Sequence, residues 1–259
     1  MSPFLGSNNS LFGLKHWICI GLCIVVIVAL FLVLRKKSFR TMCAVFFYCG
    51  IVSETIKIFY YSHINEDVYG GILPKTDLPF HLCSIQLIFI MILYLFKNEK
   101  LNRFLLSFMR PSCLFGGIAA ILIPTDTARN GAWILSTQYF GYHAILIVFS
   151  LYLYTSKEME FTLSDYLNCL KFLLVLMFFA FYINSILYDG TVSVNFMYVI
   201  GPPQEGLPYL NKDQGWFVYV LKYAVLVITC VTLSYIVPIV KGIKEKLAKP
   251  ALENTEINE

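Results

Sequence analysis

Residues 77–96 read DLPFHLCSIQLIFIMILYLF. The second half is an apolar run that belongs in hydrocarbon, while the first half sets a histidine, a cysteine and a glutamine at its mouth. Similar runs recur along the chain. Hydrophobic residues make up 58% of the 259 and charged residues only 14%, far from the mix of a soluble globular domain. Runs near 17–34, 41–61, 79–96, 134–154, 167–187 and 216–238 each approach the length needed to cross a hydrocarbon core about 30 Å thick. A seventh, SCLFGGIAAILIP over 112–124, is short and needs Phe104 to Met109 in front of it, with Arg110 snorkelling toward headgroups.

Loop charge decides whether the seventh run crosses, because basic residues collect on the cytoplasmic side of short loops. With seven crossings and the N-terminus outside, the outer segments hold only Lys15, Lys75, Arg129 and Lys212. Lys57, Lys171 and Lys222 fall within spans, and the other thirteen of the 20 basic residues lie inside. The expected fold is therefore an all-α polytopic membrane helix bundle of seven transmembrane helices, N-terminus out and C-terminus in. It forms one domain over residues 1–240, followed by a polar cytoplasmic tail over 241–259 whose basic half can touch anionic lipid. Positive charge follows the first apolar run rather than preceding it, so that run reads as an anchor and not a cleaved signal. Asn8 heads an N-x-S pattern on the outer side.

The inner basic rim accounts for the net charge of +4, so membrane lipids are the expected partners and nucleic acid is not. The eight cysteines lie almost entirely in apolar runs with no CxxC pair and read as small hydrophobes at helix interfaces, not as a disulfide framework or zinc site. No metal or cofactor is expected.

Polar side chains inside a span are costly, about 2.5–3.5 kcal/mol for a central charge, so each needs a partner or a role. In the seven-span arrangement they gather in one leaflet: Glu54 and Lys57 in span 2, His81, Cys83 and Gln86 at the mouth of span 3, Gln138 and His143 in span 5, Asn184 in span 6. Lys222 begins span 7 on the same side. That convergence suggests a polar cavity opening outward. Glu54 and Lys57, three residues apart, either neutralise each other or, with Lys57 snorkelling outward, leave Glu54 as a lone carboxyl. Asp77 reads as an N-cap and Pro79 as a first-turn residue, which would place His81 beside the positive end of the helix dipole. Cys83 is either inert filler or an activated acyl acceptor. His81 and Cys83 point about 200° apart on a regular helix, so their partners must come from other helices. His143, the deepest histidine, is either a neutral hydrogen-bonded group or a general base. The loop from Tyr188 to Gln214 is either a lid over the cavity or an interfacial packing segment.

DLPFHLCSIQ, QYFGYHAILI and NFMYVIGPP together resemble the YwaF-type integral membrane proteins, over about residues 41–238. That bacterial family is distantly similar to a vertebrate transmembrane acyltransferase of ether phospholipids. The matching positions are Leu78, Pro79, His81, Leu82 and Cys83, then His143, then Asn195, Phe196, Met197, Tyr198 and Pro202. The resemblance implies a multi-pass protein of the bacterial cytoplasmic membrane and a lipid acyl-transfer activity with a cysteine near the histidine as acyl carrier. With the polar convergence it favours a lipid acyltransferase or hydrolase of the outer leaflet. His143 would be the base, Cys83 the nucleophile and His81 a second acid or headgroup anchor. Gln86, Gln138 and Asn184 would supply oxyanion donors, and Glu54, Lys57, Asn195 and Tyr198 would complete the substrate site. Two other classes remain open: a transporter or small-molecule binder using Glu54, Lys57, His143 and Lys222, and a non-catalytic membrane scaffold.

Overall fold

A computed structural model describes residues 11–156, 159–190, 194–204, 207 and 209–245, and the regular structure among them is helical. The helices are α1 (Leu14–Leu34), α2 (Phe39–Phe59), α3 (Glu66–Tyr69), α4 (Leu82–Leu95), α5 (Glu99–Leu122), α6 (Asp126–Asn130), α7 (Trp133–Thr155), α8 (Leu163–Leu187) and α9 (Trp216–Ser234). α2 continues through a π turn, Tyr60–Ile64, and residues 236–245 after α9 are helical again. Asn8, Lys157 and the expected tail from 246 onward lie outside the described residues.

Among the described residues six helices are long and apolar enough to cross a membrane: α1, extended α2, α5, α7, α8 and α9. The run at 112–124 that is short on its own is the second half of the 24-residue α5, which starts as early as Glu99 behind an Asn98 cap accepting from the Leu101 N–H at 3.0 Å. The run at 79–96 instead yields the shorter α4, 14 residues rising about 21 Å. Arg110 does not snorkel. It sits mid-helix, buried, with its guanidinium over the rings of Tyr154, Phe161 and Tyr235.

Burial is inverted relative to hydropathy. The strongly apolar α1 is only 17% buried, as are α8 and α9, whereas α5 and α7 are 61% and 67% buried. Apolar faces turned outward suit lipid, and the interior helices carry the polar side chains: Ser107, Arg110 and Ser112 on α5, Ser136, His143 and Ser150 on α7. α7 packs on α1, α2, α5 and α6; α4 lies between α2 and α5; α8 and α9 close the other side of α5. Gly117 permits the α5–α7 approach, because a Cβ there would come within 2.7 Å of Ile147 Cγ1 and 3.1 Å of the His143 carbonyl. Pro111 interrupts α5 by removing the N–H that would bond Ser107, and the Tyr235 hydroxyl donates to that freed carbonyl at 2.6 Å. The helix ends carrying Lys57, His81 and Asn184 therefore meet at one end of the bundle, and those carrying Tyr154 and Tyr235 at the other.

Candidate functional site

At the end of α2, residues one turn apart reach the same segment. Lys57 Nζ lies 2.8 Å from Glu54 Oε2 and donates to the Asp77 carbonyl at 3.0 Å, while the Tyr61 hydroxyl donates to the Asp77 carboxylate at 3.0 Å. Of the two arrangements open to Glu54 and Lys57, the ion pair is the one observed; Lys57 is buried and turned inward. Burial pushes the Asp77 carboxyl above the usual carboxylate range, with the Tyr61 hydroxyl and the Lys57 ammonium pulling back down. Held in this way, Asp77 does not cap α4. It closes a 3-10 turn over Lys75–Asp77, and the α4 N-cap is His81, whose backbone is extended at φ −71°, ψ 153°.

Because His81 precedes the helix, the expected divergence of His81 and Cys83 around a regular turn does not apply. The His81 ring packs edge-on to Phe196 at 5.0 Å and tilted against Tyr198 at 5.5 Å, with the Thr76 backbone as a hydrogen-bond partner. Cys83 lies in the first turn of α4, where no side chain caps the helix. Its sulfur sits against its own N–H and against the N–H and hydroxyl of Ser84. First-turn amides have no intrahelical acceptor, so the N–H groups beside this sulfur are not taken by the helix itself.

His143 stands about 15 Å along α7 from Trp133. Its Nδ1 is 2.7 Å from the Tyr139 carbonyl, which can only accept, so Nδ1 carries the proton and the neutral ring holds its lone pair on Nε2. Among the described residues Nε2 takes no hydrogen bond, and the ring as a whole is buried. Tyr142, next to it in the helix, reaches α4 and donates its hydroxyl to the Cys83 carbonyl at 3.0 Å; Tyr139, one turn earlier, lies ring to ring 4.2 Å from His143 and donates its hydroxyl to the Ala120 carbonyl of α5 at 3.3 Å. His81 and His143 are within electrostatic range of one another, and so are Tyr139 and Cys83. Cys83, Tyr139, Tyr198 and Tyr223 are each half-buried and form one wall of the candidate site.

The other residues expected at the site divide between this wall and its scaffold. Asn184 is a clamp: its Nδ2 donates to the Phe196 carbonyl at 3.1 Å and its Oδ1 accepts from the Phe196 N–H at 2.8 Å. Asn195 holds the same loop through the Gly201 carbonyl and the Ile200 N–H. Tyr198 follows Met197, both at positive φ of 54° and 56°, a costly conformation for side-chain-bearing residues. The Tyr219 hydroxyl fixes the turn by donating to the Tyr198 carbonyl at 2.5 Å. Gln138 donates to Ser53 at 2.6 Å and Gln86 to Ser112 at 2.9 Å. The amides expected to serve an oxyanion are thus engaged with neighbouring helices or loops, and Gln86 instead leaves a buried acceptor, Oε1, without a partner.

Tyr139 and Tyr142 are site residues that depth along the spans does not single out, although their spacing of four and one before His143 in QYFGYH is a usable signal. His16, equally silent in the sequence, is fully buried and ties α1 to α5, donating from Nε2 to the Ile121 carbonyl at 3.0 Å while Nδ1 accepts from the Phe12 N–H. Among the described residues no group of three His, Cys, Asp or Glu side chains is arranged to hold a metal ion.

The sequence model of the TMEM164 family matches residues 11–235, so the chain belongs to the TMEM164 family, and it is an integral multi-pass membrane protein. No curated protein and no solved structure matches it.

Proposed function

We propose that this member of the TMEM164 family is a lipid acyltransferase or lipid hydrolase, with Cys83 as nucleophile and His143 as base. The observation that carries the reading is the link between α7 and the start of α4: Tyr142, next to His143, donates to the Cys83 carbonyl at 3.0 Å, and among the described residues His143 keeps its Nε2 lone pair free of hydrogen bonds. The likeness of DLPFHLC, QYFGYH and NFMYVIGPP to YwaF-type proteins, and through them to an ether-phospholipid acyltransferase, supports the same reading. We place α4 as a crossing, giving seven, with the N-terminus outside and the site in the outer leaflet of a bacterial cytoplasmic membrane. The sparse basic charge of that side supports this orientation.

In the first half-reaction Cys83 Sγ attacks the carbonyl carbon of a lipid ester while its proton passes to His143 Nε2. The developing oxyanion meets the backbone N–H groups of the α4 first turn, at about 3 kcal/mol per well-placed donor. Collapse breaks the acyl C–O bond, the leaving alkoxide takes the proton back from His143, and the acyl group remains on Cys83 as a thioester. In the second, an acceptor alcohol, or water in a hydrolase, attacks the thioester. His143 takes its proton and returns it to the departing thiolate. His81, walled by Phe196 and Tyr198, positions the headgroup.

Lipidomics of a deletion strain tests this. Complementation with the wild-type chain restores the acyl-chain profile, whereas Cys83→Ala and His143→Gln leave it as in the deletion. Unchanged profiles throughout refute it.

A further inference from the structure

The end of the bundle opposite His143 holds a cation that the acyl-transfer reading does not use. Arg110 is neighboured there by Tyr154, eleven residues beyond His143 on α7 and so about 16 Å away along the axis. The guanidinium carbon lies 4.2 Å from the centre of the Tyr154 ring, 4.4 Å from that of Phe161 and 5.2 Å from that of Tyr235. Arg110 is only 8% exposed, and its Nε is sealed without a hydrogen-bond partner. Among the described residues the carboxylates near this cage, Asp165 and Glu160, are already answered. Asp165 takes Arg103 at 2.8 and 2.7 Å, and Glu160 lies 3.7 Å from Lys241. Among the described residues no carboxylate pairs with Arg110. Aromatic faces return only part of what desolvating a full charge costs, so a buried planar cation of this kind is suited to a counter-anion brought by a ligand.

The surroundings fit a phosphate. The Tyr154 hydroxyl is within hydrogen-bonding reach of the guanidinium and also bonds the Ser234 hydroxyl, which sets two hydroxyl groups beside the fork. The missing ladder bond at Pro111 lies next to the cage, and the Ser107 carbonyl it frees is taken by Tyr235, so that carbonyl does not compete for the guanidinium. The residue after Tyr235 begins a groove of about 450 Å³ lined by Ile236, Val237, Val240, Lys241, Lys244 and Glu245. Gly242 brings that helical stretch close to the start of α8: a Cβ there would lie 3.2 Å from Leu163 Cβ. An apolar groove carrying Lys241 and Lys244 along with Glu245, and following directly on a ring that covers the guanidinium, suits an amphiphile with an anionic head.

We infer that Arg110, Tyr154, Phe161 and Tyr235 form a phosphate site for the headgroup of an anionic phospholipid at the end of the bundle opposite the Cys83 site. This does not depend on the acyl-transfer reading. Native mass spectrometry of the purified full chain, given phosphatidylglycerol or phosphatidylcholine of identical acyl chains, tests it. The wild type retains phosphatidylglycerol about tenfold better, and Arg110→Gln removes the preference while an unchanged elution profile shows it folded. Arg110→Lys keeps the charge without the planar fork and retains part of it. Should Arg110→Gln not fold, Phe161→Leu, which removes one ring of the cage, lowers the preference by about threefold. Equal retention of both lipids by the wild type, or full preference in folded Arg110→Gln, overturns the proposal. Displacement of the lipid by millimolar inorganic phosphate overturns the lipid as the source.

Discussion

Replacing Asn184 with alanine should release the turn that walls His81. Asn184 is 1% exposed and Phe196 0%, so water cannot substitute for the two bonds at 3.1 and 2.8 Å that the amide makes to the Phe196 backbone. Leaving a buried N–H and a buried carbonyl unpaired costs about 1–3 kcal/mol each, or about 2–6 kcal/mol together. The turn they hold is already strained, with Met197 and Tyr198 in left-handed geometry at roughly 1–2 kcal/mol per residue. The remaining ties are the Tyr219 hydroxyl on Tyr198, the Trp216 indole on Val199 at 3.1 Å, and the bonds of Asn195. Local opening over 196–200 should therefore become easier by at least about 2 kcal/mol, which is roughly thirtyfold in amide exchange. Hydrogen exchange on the detergent-solubilised protein reads this out amide by amide. Asn195→Ala, at a partly exposed position, should produce a much smaller change. Exchange of these amides in Asn184→Ala within about threefold of wild type would show that the amide is no clamp.

Lys57→Met should destabilise by about 3 kcal/mol because it strands the Glu54 carboxylate, and adding Glu54→Gln should recover much of the loss; a double variant no better than the single one contradicts the pair. Gly117→Val should force α5 from α7 beside His143, lowering the melting temperature and any acyl transfer together, since its side chain would meet Ile147 and the His143 carbonyl. For Asp77 the folded-state carboxyl titrates above its unfolded value, so its stabilising contribution is complete below the unfolded pKa of about 4 and is lost as pH rises through the raised value. Asp77→Asn keeps an acceptor for Tyr61, and the melting-temperature difference between variant and wild type should shrink as pH falls through that window; a pH-independent difference contradicts the assignment.

The membrane class was legible because apolar runs are long and water cannot serve a backbone in hydrocarbon. Which run yields a full-length helix was less so. Hydropathy sees neither the turn at 75–81, imposed by Lys57 and Tyr61 on Asp77, nor the three rings that let Arg110 lie inside α5. The gathering of polar groups at one end followed from their depth along each span. Their directions did not, because depth fixes position along a helix and not rotation about it. Gln86, Gln138 and Asn184 thus looked alike as amide donors, although each is engaged by a neighbour in the bundle. The uncapped first turn of α4 beside Cys83 was hidden for the same reason as the helix start: the cap is His81, a residue with no capping side chain.

Acyl transfer at this site requires that Cys83 carry the acyl group and that His143 move the proton. Incubation of the purified protein with a phospholipid bearing a labelled acyl chain, followed by peptide mass spectrometry, looks for that intermediate itself. A hydroxylamine-sensitive acyl adduct is expected on the Cys83 peptide, absent in Cys83→Ala and strongly reduced in His143→Gln. A wild-type protein that alters its lipid substrate with no label on Cys83, or a Cys83→Ala variant that retains full turnover, would exclude the thioester route.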